Sequence, residues 1–142
     1  MLVTTKGRYA LRTLVDLAEY ADDGYVPLKT IAQRQQLSDK YLESIIKTLV
    51  REKILVGARG KGGGYKLNAS PADISVLSVL ELVESGFACV EGLEQDHAQL
   101  PSQAQYRILD MWRELDAQVR EYLSGKSIAD FLDIEPGDFY VI

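Results

Sequence analysis

Residues 39–53, DKYLESIIKTLVREK, place apolar side chains at Leu42, Ile45, Ile46, Leu49 and Val50. Spacings of three and four put these on one face of a helix, with Lys40, Glu43, Ser44, Lys47 and Arg51 on the other. No linker follows. Two β-prone runs, ILVGAR and YKLN, come next with GKGGG between them, which predicts a hairpin with a glycine-rich tip. Just before the helix stands Ser38, a good N-cap, and before that LKTIAQRQQ (28–36), a short helical period with Leu28, Ile31 and Ala32 inward. Two short helices joined by a tight break, then a hairpin, leave few packings. The pair reads as a helix-turn-helix and the hairpin as a wing beside its second helix.

The remaining segments fit around that unit. Residues 5–22 predict a helix, capped by Thr4 or Thr5 and ended by Asp22-Asp23-Gly24. YVPL reads as a short extended edge piece, because Pro27 disfavours a central strand. Residues 70–85 predict one helix, with Ser70 as cap and Pro71 at its first position. Residues 86–103 carry little periodicity and read as a loop. In helix 104–124, Ile108, Trp112, Leu115, Val119 and Tyr122 alternate by four and three, a heptad-like seam that needs a partner surface. A second copy is the simplest supply, so a homodimer is expected. SIADFLD predicts a last short helix before the tail. The expected class is mainly α with a small β-hairpin wing: a winged helix-turn-helix (1–85), then a loop, a long dimerisation helix and a tail (86–142).

Charge separates along the chain. Residues 1–66 carry 12 Lys and Arg against 7 Asp and Glu, whereas residues 67–142 carry 4 against 14. The first part suits a polyanion and the second would be repelled by one. The wing tip RGKGGGY is no nucleotide cradle. It lacks the Lys-Ser/Thr ending of a P-loop, no helix starts after it, and Tyr65 stands where GxGxxG needs its third glycine. A turn requires one or two glycines at positive φ. Four of them, flanked by Arg59 and Lys61, are read here as a tip that lets backbone amides and cations approach DNA.

Several classes are disfavoured. One cysteine, Cys89, rules out a disulfide framework within the chain, and a free thiol fits a reducing compartment. No apolar run approaches the ~20 residues of a membrane span, which points to a soluble, cytoplasmic protein. His97 is the only histidine, so no Ser-His-Asp or Cys-His-Asn set is available and no enzyme is expected.

The order KGRYALRTLVDLA, IAQRQQLSDKYLESIIKTLVREKILVGARGKGGGYKLN and LSVLELVES resembles the Rrf family of bacterial winged-helix regulators over nearly the whole chain. That resemblance implies a homodimer crossed through the long helix, bound to a pseudo-palindromic double-stranded operator. By position it implies DNA contacts from Ser38, Lys40, Tyr41, Glu43 and Lys47 on the recognition helix, from Arg59 and Lys61 in the wing, and from Lys6 and Arg8 at the first helix. At that last place a helix N-terminus favours a phosphate.

Within the family, the chain departs from the cluster-binding (IscR) branch. Cys89 matches the first cysteine ligand, but the other ligand positions fall near Leu100, Tyr106 and Leu109. Those side chains are not the thiolate and imidazole donors that hold iron–sulfur clusters. No metal and no cofactor is therefore expected. Cys89 reads either as a small half-buried apolar residue or as a redox-sensing thiol. The chain is more similar to the cysteine-metabolism repressor (CymR) branch, in its VEGLE loop and its ending Phe139-Tyr140-Val141-Ile142. There the resemblance implies cysteine synthase as corepressor, with Ile142 offered to the synthase active site. A redox- or ligand-sensing repressor of other genes, and a protein-interaction adaptor that does not bind DNA, remain open alternatives.

Overall fold

The computed structural model describes residues 3–84, 86–88 and 91–132. Helix α1 spans Thr5–Glu19, α2 Leu28–Gln35 and α3 Asp39–Arg51. Strands β1 (Leu55–Ala58) and β2 (Gly64–Leu67) follow, then α4 (Val76–Val83) and α5 (Gln103–Ser124).

Each end has a local cause. The Thr4 hydroxyl accepts from the Gly7 amide and starts α1. The helix stops at Glu19, short of the expected residue 22. Glu19, Asp22 and Asp23 crowd its negative end, where carboxylates are unfavourable, and Ala21–Asp23 tighten into a 3-10 turn. Helix α2 ends where Gln36 turns left-handed at φ 56. Ser38 then caps α3, accepting from the Tyr41 amide at 3.1 Å. In the antiparallel hairpin Leu55 faces Leu67 and Ala58 faces Gly64. Val26 of YVPL adds an edge rung, exchanging two 2.9 Å backbone bonds with Tyr65.

The expected helix 70–85 is two elements. Ser70 heads a 3-10 turn, Pro71–Asp73, and α4 begins at Val76 with Ser75 as its cap. The break has a tertiary reason. Ile74 is extended, sinks into the core, and its carbonyl accepts from the Ile128 amide at 3.0 Å. The Val76 amide likewise donates to the Lys126 carbonyl at 2.8 Å. The expected SIADFLD helix is a 3-10 turn, Ile128–Phe131, held by a reciprocal Ser127–Asp130 capping box.

The main core joins Leu14 and Leu17 of α1, Ile31 of α2, Leu42, Ile45, Ile46 and Leu49 of α3, Leu55 and Val79. Ile128, fully buried, completes it. The segment 126–132 thus packs with residues from 1–85, across the division drawn at residue 85. A smaller cluster of Val76, Leu80 and Phe87 receives Val119 and Leu123 from α5. Among the described residues no helix is long and apolar enough to cross a membrane.

One polar network crosses this apolar interior. Asp16 on α1 is 2% exposed. Its carboxylate accepts from Arg34 Nε at 3.0 Å and Nη2 at 2.6 Å, and from Gln35 Nε2 at 2.9 Å. The hydrogen bonds to Asp16 hold the Arg34 guanidinium above its ordinary pKa, against the opposing pull of burial. It therefore stays charged throughout the working pH range. Removing one partner of a buried pair strands the other. Asp16→Ala should cost about 3 kcal/mol of unfolding free energy, read as a lower urea midpoint at unchanged slope.

Candidate nucleic-acid interface

Helix α3 presents Lys40, Glu43 and Lys47 to solvent, as its apolar spacing requires. Ser38 is exposed and already serves as the cap. Tyr41 is half-buried and meets the Tyr9 ring edge-on, centroids 5.8 Å apart. A cleft of about 200 Å³ lies between α3 and the wing, lined by Glu43, Ile46, Lys47, Val50 and Tyr65. The fold therefore brings Glu43 and Lys47 into one wall with β2 behind them. Arg59 and Lys61 stand exposed at the hairpin tip.

Two expectations are corrected by the geometry. The first concerns the four tip glycines, read above as more than a turn needs. Gly60, Gly62 and Gly64 all have positive φ, at 85°, 78° and 142°. At Gly63 a Cβ would run into the Ala58 and Gly60 carbonyls. The backbone path alone demands all four, so their number carries no message about DNA. The second concerns the start of α1. An anion already occupies it: the buried Glu84 carboxylate accepts from the Thr4 amide at 2.8 Å and from the Thr4 hydroxyl. It sits so close to Gly7 that a Cβ there would collide with it. A carboxylate therefore shares this end of α1 with the two cations Lys6 and Arg8. Lys6 Nζ reaches Thr48 of α3 at 3.4 Å, and Arg8 is exposed beside Thr5. Glu84 was missed because a lone glutamate at a helix end looks like a solvated charge; the adjoining Thr4 and Gly7 were its only trace.

The α5 seam divides. Ile108 is 53% exposed and Tyr122 65%, and Leu115 is exposed with them. Met111, absent from the expected seam, is exposed one turn after Ile108. Trp112 is half-buried, and Val119 packs inward on the small cluster. Arg120 ties the helix to α4 and to the loop start, bonding Asp116 at 2.9 Å, Glu81 at 2.6 Å and the Phe87 carbonyl. The bond to Asp116 is the main cause that raises its pKa. Cys89 and the tail residues Phe139, Tyr140, Val141 and Ile142 lie outside the described residues.

The Rrf2 family model, described as an iron-dependent transcriptional regulator, matches residues 3–134. The chain belongs to the Rrf2 family. An HTH-type transcriptional regulator of Azotobacter vinelandii is 37% identical over 132 residues, covering 93% of this chain and 79% of that protein. The HTH-type transcriptional regulator IscR of Aliivibrio salmonicida is 33% identical, over 93% of this chain and 77% of that one. The solved structure of CymR, the global cysteine regulator of B. subtilis, superposes with a TM-score of 0.77 at 30% identity, over 92% and 95% of the two chains. This Rrf2 protein is a DNA-binding transcriptional regulator of helix-turn-helix type and not an enzyme. The chain has one cysteine; Leu109, expected above near a ligand position, is buried, and Tyr106 is half-buried. Among the described residues no three His, Cys, Asp or Glu side chains converge on a metal-sized site.

At Gly64 any Cβ would strike the Val26–Pro27 backbone. Gly64→Ala should unseat the wing from its edge rung at a cost of about 2 kcal/mol, measured by chemical denaturation, with Gly24→Ala, whose Cβ meets open space, as the comparison for backbone strain alone.

Proposed function

We propose that this Rrf2 protein is a homodimeric repressor that reads a pseudo-palindromic operator with α3 and steadies it with the wing. The observation that carries this reading is the exposed face of α3, Lys40, Glu43 and Lys47, beside a hairpin tipped by two exposed cations. The chemistry is suited to the roles. Arginine forks onto guanine, glutamate accepts from the cytosine amine, and lysine neutralises phosphate. Residues 1–85, with 126–132 packed against them, form the DNA-binding unit. Ser38, Tyr41, Lys6 and Arg8 complete its contact set.

The dimer surface is the apolar stripe Ile108, Met111, Leu115 and Tyr122 on α5, with Trp112 at its edge and Val119 facing the protomer's own core. Pairing there would set two recognition helices about 34–36 Å apart, one turn of DNA. The regulated genes are those of cysteine and sulfur metabolism, with cysteine synthase as corepressor engaging Phe139–Ile142. Structural similarity to the global cysteine regulator supports this. The IscR-named relatives support a second reading, a redox- or ligand-sensing repressor of other genes.

Operator binding should weaken steeply with salt, because bound cations displace counterions from the phosphates. Arg59→Ala should cost about 1–3 kcal/mol of operator affinity. A fluorescence-anisotropy titration at physiological salt measures both, and unchanged affinity would remove the wing from the interface. Deleting Ile142 should abolish capture of cysteine synthase while sedimentation still reports the dimer. Equal capture by the two forms would refute the corepressor assignment.

A further inference from the structure

Tyr9 sits on α1 and is joined to both sides of the helix-turn-helix break. Its ring meets Tyr41 edge-on at 5.8 Å, in the first turn of α3. The guanidinium of Arg12 lies over the same ring at 4.7 Å. Arg12 in turn grips the last residue of α2, donating to Gln35 Oε1 at 3.2 Å and to the Gln35 carbonyl at 2.5 Å. Gln35 also donates to the buried Asp16. Between Gln35 and Tyr41 the chain makes its left-handed step at Gln36 and starts α3 at Ser38.

We propose that Tyr9 is a positioning residue for sequence reading: through Tyr41 and through Arg12 it sets the angle and register at which the first turn of α3 meets the base edges. The proposal rests on the reading of α3 as the recognition helix. The physical logic is that base contacts need side chains placed to a fraction of an ångström, whereas phosphate contacts by long exposed cations tolerate looser placement. An aromatic support lost from behind the first turn should therefore cost discrimination and spare general affinity. Tyr9 is half-buried against the main core as well, so its replacement must keep apolar bulk.

The test compares wild type, Tyr9→Leu and Tyr9→Phe on two duplexes of equal length. One is selected by the wild-type protein from a random pool; the other is its scrambled counterpart. Tyr9→Leu keeps the bulk but loses the ring. It should bind the selected duplex about fivefold more weakly, the worth of one aromatic pair, with its affinity for the scrambled duplex and its salt slope unchanged. Tyr9→Phe, which keeps the ring, should restore discrimination. Wild-type discrimination retained by Tyr9→Leu overturns the proposal, as does an equal loss on both duplexes, which would mark a residue that only holds the fold. Failure of the wild-type protein to discriminate at all would instead fell the recognition-helix reading. Should circular dichroism show Tyr9→Leu unfolded, Arg12→Met carries the test. Arg12 is exposed, and its loss should lower discrimination without a shallower salt slope; a shallower slope, or none of the loss, overturns the proposal.

Discussion

The carboxylate of Asp16 is the constraint on which the packing of α1, α2 and α3 depends. A buried charge is tolerable only when paired and fully bonded, and here the donors are Arg34 and Gln35, the last turn of α2. Satisfying Asp16 therefore fixes where α2 ends against α1. The left-handed Gln36 follows at once, a conformation that costs an ordinary residue about 1 kcal/mol. The anchored helix end offsets that cost. Once the turn is set, Ser38 caps α3 and the apolar face of α3 docks on Leu14, Ile31 and Leu55. The polar face is left outward by default. Arg34 also lies over the Tyr20 ring at 3.7 Å, so the same guanidinium spans the end of α1.

A second chain of contacts connects the other half to this unit. Glu84, at the end of α4, is bonded to the start of α1 through Thr4. A few residues on, the Phe87 carbonyl is held by Arg120, and the Leu93 and Gln95 carbonyls by Arg113, both from α5. Phe87, Leu93 and Gln95 are thus stapled to the long helix by two guanidiniums, a few residues beyond a carboxylate that clasps α1. Arginine suits the role because its planar fork bonds several oxygens at once. The acidic composition of this half, unpromising for DNA, partly serves these internal pairs: Glu81, Glu84 and Asp116 are all engaged.

Much of the fold was legible. The three-and-four spacing of Leu42, Ile45, Ile46 and Leu49 predicted α3 and its exposed face, and all four are buried. The hairpin and the edge rung at YVPL were readable from β-prone runs bracketing glycines and from Pro27. The candidate interface was legible to the extent that exposure follows from helical period. Other features were not legible, for physical reasons. The break at Ile74 depends on pairing with Ile128, some fifty residues away, and no local propensity records it. The glycine excess was misread, because close backbone approach around Gly63 and Gly64 is invisible until the strands are in place. On α5 the heptad pattern did not say which residue faces which surface, and the protomer's own small cluster claimed Val119.

By itself the sequence determined the first three helices, the caps Thr4 and Ser38, the hairpin and the sign of charge on each half, since all of these follow from residue identity and nearest spacing. Tertiary structure alone decided that Glu84 occupies the start of α1, that Asp16 binds the helix-turn-helix break, and that residues 126–132 return to the first core. Each of these joins groups far apart in the chain, and such contacts form only when apolar burial has already brought the elements together.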